Sequence, residues 1–188
     1  MARVPRRIYQ LKIGLHGAKP PIWRRFLIAS SVTLPKFHEA IQIIMGWTDS
    51  HLHVFETGDR YYGVLDPEWD DDEGIYDETK FRLNQLLWYE KDYLKYVYDL
   101  GDEWEHKITL EKILPFNSKV VLPFCVKAKG ACPLEDVGGL WGYYKFLEIM
   151  RNPNHPEYEE YKKWIGGEFD PTAYDIDEVN ALLADIGR

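Results

Sequence analysis

The chain has 188 residues, is 45% apolar and 29% charged, and carries a net charge of −8, a composition that suits a soluble domain with a sizeable core. No stretch approaches the roughly 18 apolar residues of a membrane span, and the basic start alternates polar and apolar residues where a signal peptide would run apolar, so a cytoplasmic setting without a membrane partner is expected. Two cysteines, Cys125 and Cys132, are too few for a disulfide framework.

In chain order, "RIYQLKIGLHG" sets Ile8, Gln10 and Lys12 opposite Tyr9, Leu11, Ile13 and Leu15, the period-two pattern of a strand. "PPIWRRFLIAS" reads as a second strand, with Pro20 and Pro21 at its entry, where proline is tolerated. The period then changes: Phe37, Ala40, Ile41 and Ile44 share a helical face, with Thr33 as N-cap, Pro35 in the first turn and Gly46 after the end. "HLHVFETG" and "RYYGVL" form a hairpin around Gly58 and Asp59. An acidic loop with eight carboxylates between Asp66 and Glu78 fits no calcium loop, because its Gly and terminal Glu fall at the wrong offsets, and is expected to be solvated. "KFRLNQLLWYE" reads as a short helix.

"DYLKYVYDL" and the strand after Gly101 and Asp102 form a second hairpin, in which Trp104, His106, Ile108 and Leu110 share one face and Glu103, Glu105, Lys107 and Thr109 the other. From about residue 134 the pattern is helical, with segments marked by Leu140, Tyr144 and Leu147, by Tyr158, Tyr161 and Ile165, and by Ile176 to Ile186 behind Asp175 and Glu178 as a capping box. The expected fold is α+β, a single domain over 1–188. A mainly antiparallel sheet occupies the first two thirds with one early helix, and helices cluster at the C-terminal end.

The segments "PPIWRRFLI", "LPKFHEAIQIIMGWTDSHLHVFE", "YVYDLGDEWEHKITLE", "GACPLEDVGGLWGYYKFLEIMRNPNHPEYEEYKKW" and "FDPTAYDIDEVNALL" together resemble, in order and over nearly the whole chain, the plasmid pRiA4b open-reading-frame-three-like family. Leu134 stands where many members have a second proline and Leu100 where a Phe is usual; both remain apolar. The resemblance implies bacterial and archaeal relatives, several carried by plasmids or transposable elements and some labelled transposase- or resolvase-like, and it implies no particular activity.

Three constellations could carry chemistry. His51 and His53, two apart in a strand, project from one face, and with Asp102, His106 and Cys132 they could hold zinc or a similar ion if the two hairpins meet. The candidate pocket is His51, His53, Asp99, Asp102, Trp104, His106, Cys132, Glu135 and Asp136, with His51, His53, His106 and Cys132 as metal ligands. The opposing explanation is that His and Trp on an inward face are core residues, and that Glu135 and Asp136 serve the helix start after Gly138 and Gly139. The glycines do not make a phosphate loop, since no Lys followed by Ser or Thr accompanies them. Finally, residues 1–38 hold eight Lys or Arg and no carboxylate, so Trp23, Arg24 and Arg25 are the candidate nucleic-acid contact, although consecutive arginines alternate faces and only one can join Trp23.

The leading expectation is a non-enzymatic binding or accessory module associated with plasmids or mobile DNA. The alternatives are a metal-dependent hydrolase or nuclease with a His/Asp/Cys site, and a DNA-binding recombination accessory that uses the basic N-terminal strands.

Overall fold

A computed structural model describes residues 6–65 and 74–186. The strands are β1 (Arg7–Leu15), β2 (Trp23–Ala29), β3 (His53–Thr57), β4 (Arg60–Gly63), β5 (Ile75–Asp77), β6 (Tyr93–Tyr98), β7 (Trp104–Pro115) and β8 (Phe124–Lys129). The helices are α1 (Leu34–Met45), α2 (Gly139–Met150), α3 (Tyr158–Ile165) and α4 (Ile176–Ile186). The strands form one sheet in the order β5-β4-β3-β6-β7-β1-β2-β8. Every pairing is antiparallel except β4 with β5. The fold is therefore α+β, with one early helix and the others at the C-terminal end.

Alternation decides which side chains face inward. In β1, Tyr9, Leu11, Ile13 and Leu15 are buried, Gln10, Lys12 and Gly14 between them are only partly so, and Ile8 at the strand start is buried as well. Helix α1 covers this inner face, with Phe37 against Phe26 and stacked on Phe55 at 5.5 Å. Helix α4 holds edge strand β8 through Asn180, whose side chain accepts from Cys125 N–H at 2.7 Å and donates to Cys125 O at 3.0 Å. Such inward apolar residues supply most of the stabilising burial, at about 25 cal/mol per Å².

The helix ends differ in how far local chemistry determines them. Gly46 closes α1 in the left-handed region (φ 95°), and Pro35 lies in its first turn; Thr33 occupies the N-cap position, but its side chain makes no capping bond. Asp175 does cap α4, its Oδ1 accepting from Asp177 N–H and Glu178 N–H at 3.1 and 3.0 Å. The segment expected as one short helix, "KFRLNQLLWYE", instead holds a single 3₁₀ turn at 83–85, and another 3₁₀ turn, 78–80, ends at its first residue. Arg82 is extended (φ −125°) and bridges Thr33, which interrupts a continuous helix. Most of the acidic loop lies outside the described residues. Its last residue, Glu78, is 3% exposed and so not solvated as expected, because parallel pairing of β5 carries it under the sheet edge.

Candidate functional site

The polar residues of the inner face gather where the C-terminal end of β6, the start of β3 and the loop before α2 meet. Asp99 follows β6 directly. Its N–H donates to Leu52 O at 2.9 Å, which holds it beside the segment carrying His51. Its Oδ1 accepts from Gly101 N–H and Asp102 N–H (3.0 and 3.3 Å), making the tight β6–β7 turn and leaving Oδ2 outside it. Asp102 then ties this turn to the loop before α2, its Oδ2 accepting from Gly138 N–H at 3.1 Å. The two backbones come so close that a Cβ on Gly139 would lie 2.7 Å from Asp102 O, and Gly139 also has φ 66°. Glycine is therefore required there, and the approach delivers Asp136 to the Asp99 turn.

The result is a three-residue cluster. His51 Nε2 lies 3.1 Å from Asp136 Oδ1 and 3.6 Å from Asp99 Oδ2. One ligand atom from each of the three falls within 4.8 Å of the others, the only such His, Cys, Asp or Glu group among the described residues. The Nε2 atom is shielded from water, yet it makes no hydrogen bond, since neither oxygen is suitably placed for its N–H. Asp99 and Asp136 both adopt left-handed backbone (φ 55° and 61°), a conformation Asp tolerates better than most residues. Glu135 stands apart from the cluster and accepts from Tyr98 OH and from Thr48 Oγ1. Burial, helped by that carboxylate, pushes the Tyr98 phenol up from its ordinary value.

Beside the cluster, a cleft of about 510 Å³ is lined by His38, Asp49, Ser50, His51, His53 and Glu78, among others. Its floor is a stacked imidazole pair, His38 on His53, with centroids 3.5 Å apart and planes within 5°. His38 Nε2 lies 2.7 Å from Asp49 Oδ1 and its Nδ1 2.8 Å from Tyr96 OH, while His53 Nε2 is 2.8 Å from Glu78 Oε2. Ionised carboxylates only accept, so His38 carries its proton on Nε2, and its Nδ1 then accepts from Tyr96 OH. Gln42 Nε2 donates to the same phenol oxygen at 2.9 Å. Burial holds His38 below the usual imidazole value, the neighbouring His53 adds to this, and Asp49 opposes it.

The sequence candidates divide accordingly. His51, Asp99 and Asp136 converge. His53 faces the same cleft but is engaged with Glu78. Trp104 and His106 are 1% and 0% exposed; His106 meets the edge of Trp47 at 5.3 Å, and burial lowers its pKa to about 4. Cys132 is half-buried, and desolvation raises its thiol well above the ordinary value despite Arg24 nearby, so it stays protonated and is a poor ligand or nucleophile. His51, His53, His106 and Cys132 do not share a ligand cluster. Of the nucleic-acid trio, Arg24 is fully buried, donating to Ile44 O, Trp23 O and Lys129 O and lying 4.1 Å over Tyr174; it cannot touch a phosphate backbone. Arg25 stays with Trp23 on the outer face. His38, Asp49 and Glu78 were not singled out from sequence. His38 and Gln42, polar residues one helical turn apart in an apolar helix, were the available signal.

An eight-stranded, mainly antiparallel sheet covered by helices on one face, with a polar corner at the β6–β7 turn, is the class that these elements define. The chain belongs to the plasmid pRiA4b ORF-3-like protein family, whose model matches residues 7–178. It is 35% identical over 184 residues to the uncharacterized protein y4hQ of Sinorhizobium fredii (strain NBRC 101917 / NGR234), covering 95% of this chain and 92% of that one. The crystal structure of a protein of unknown function, MM3350 from Methanosarcina mazei Go1, superposes with a TM-score of 0.84 at 35% identity, covering 93% of this chain and 98% of that one.

Proposed function

We propose that the protein is a metal-dependent hydrolase whose divalent transition ion is held by His51 Nε2, Asp99 Oδ2 and Asp136 Oδ1. The observation that carries this reading is the convergence of three ligand atoms from three separate segments around an imidazole nitrogen that bonds to nothing else. The edge of a tetrahedron with metal–ligand bonds of about 2.1 Å is about 3.4 Å, and the 3.1 and 3.6 Å separations bracket it. A cation placed among these three atoms would be attracted by both carboxylates and could take the lone pair of an unprotonated Nε2. One nitrogen with two carboxylate oxygens suits zinc, manganese or iron better than calcium.

Three protein ligands leave a coordination position for water, as in catalytic sites and unlike closed structural ones. His51 also lines the polar cleft, so a water bound to such an ion would be made more acidic and would supply the nucleophile for a substrate held there. Tyr98 and Glu135 orient the loops behind the ligands, a supporting role of the kind that fixes ligand direction.

The test is elemental analysis of protein purified without a histidine tag, followed by ester and phosphodiester turnover before and after chelation. A stoichiometric ion lost in His51→Ala and in Asp99→Asn, with turnover that follows the ion, is the expected result. Metal-free protein after saturation with zinc and manganese, or unchanged metal content in both variants, contradicts the reading.

A further inference from the structure

We propose that the outer face of the sheet, opposite the face covered by α1 and α4, binds single-stranded nucleic acid. Cross-strand partners share a face, and the register builds two outward rows. One runs Lys127, Arg25, Lys12, Thr109, Tyr93; the other runs Lys129, Trp23, Gly14, Lys107, Lys95. Six cations therefore stand on one surface of a chain whose net charge is −8. Glu111 pairs with Arg25, and Glu56 and Glu105 with Lys95. Lys107, Lys127 and Lys129 form no ion pair among the described residues, and Lys12 acts on Glu111 through space without a direct contact. Like charges set directly opposite each other oppose folding; Glu111, Glu56 and Glu105 offset this at Arg25 and Lys95, and Lys107, Lys127 and Lys129 are left for a polyanion to neutralise.

Aromatic rings sit among these cations. Lys12 Nζ is 5.0 Å and Arg25 Cζ 5.4 Å from the Trp23 ring centroid, and Lys107 Nζ is 4.3 Å from that of Tyr93. Tyr93 is 58% exposed, which leaves ring area for a base. Rings interleaved with cations are the requirement for a stacking platform with phosphate contacts. A sheet face this broad meets a duplex groove only where the duplex is strongly deformed, whereas the splayed bases of a single strand can lie on it directly, so a single strand is the matching partner.

Gly14 gives an independent sign. It lies mid-row between Trp23 and Lys107, outside the left-handed backbone region, and an added Cβ would meet nothing nearer than Trp23 Cβ at 3.8 Å. Neither backbone conformation nor crowding demands glycine there. A glycine inside a strand weakens it, and frequently marks a place where a ligand approaches closely. Here it leaves a flat shelf beside the Trp23 ring.

The test is fluorescence anisotropy with DNA and RNA oligonucleotides of about 12 nucleotides, within the site sizes of sheet-based single-strand binders, across a salt series, with a duplex of the same sequence and polyglutamate as competitors. Binding of either single strand in preference to both competitors is expected. Tyr93→Ala should weaken it at least fivefold. Lys107→Ala should make the slope of log affinity against log salt shallower by about 0.7. Gly14→Thr should fill the shelf and weaken binding about tenfold or more while leaving the folded protein at least as stable, which a purely structural role for this position would not do. No binding at low salt, equal competition by duplex or polyglutamate, or affinity unchanged in both Tyr93→Ala and Gly14→Thr overturns the proposal.

Discussion

The inner and outer faces of the same sheet use the same residue types to opposite ends. Arg24 and Arg25 are adjacent in β2: the first is fully buried, bonded to three backbone carbonyls and stacked over Tyr174, and the second is partly exposed and makes two hydrogen bonds to Glu111. His106, inward on β7, is kept neutral by burial, whereas Lys107 beside it is exposed over a tyrosine ring. Placement relative to the pleat decides whether a cation is packed inside the fold or left on its surface. The polar inner face opens to solvent at one corner, where His51, Asp99 and Asp136 meet.

The largest expected effect separates the two arginines. Arg24→Ala removes a side-chain donor from three carbonyls, of which Ile44 O keeps Tyr174 OH, and leaves a cavity beside Tyr174; it should destabilise the protein by about 3–5 kcal/mol in urea unfolding. Arg25→Ala loses a solvent-screened pair and should cost at most about 1 kcal/mol. Equal losses would break the comparison.

Next comes the pH dependence of the inner face. His106 folds with its pKa lowered by burial to about 4, against about 6.5 when unfolded. Between those values the unfolded state binds the extra proton, so stability is intact above about pH 6.5, falls as pH drops, and stops falling on this account below about 4. The total is about 3 kcal/mol, and His38, also lowered, acts in the same direction. Unfolding free energies from pH 7 to 4 should show a shallower slope in His106→Leu than in the unaltered protein; identical slopes would assign the dependence to other groups.

The smallest effect sharpens the outer face. A double-mutant cycle on Arg25 and Glu111 should return a coupling below about 1 kcal/mol that shrinks with added salt, although the paired guanidinium holds Glu111 below its ordinary value against the opposing effect of burial. A coupling of several kcal/mol would mean that this face is more desolvated than its exposure indicates.

Much of this contrast could be read from alternation. "WRRFLIA" requires its arginines to face opposite ways, and "WEHKITL" puts Trp104, His106 and Ile108 together. Both hairpin turns and the C-terminal helices carried local signals of the same kind. The corner was legible only as a set of candidates, because its geometry depends on closures between distant segments. Asp99 and Asp136 are brought together by the Asp102–Gly138 bond and the glycine beside it, and neither leaves a periodic trace. Glu78 was hidden further: it ends an acidic run whose composition signals a solvated loop, and only the parallel pairing of Ile75–Asp77 with β4 carries it to His53. His38 was obscured by apolar neighbours in a helix that reads as core.

The most direct measurement is anomalous diffraction at the zinc or manganese edge from crystals grown with the ion. A single peak about 2.1 Å from His51 Nε2, Asp99 Oδ2 and Asp136 Oδ1, absent in Asp136→Asn, is the expected result. A peak at another group of side chains, or none at a concentration where the protein in solution is saturated, would contradict the account.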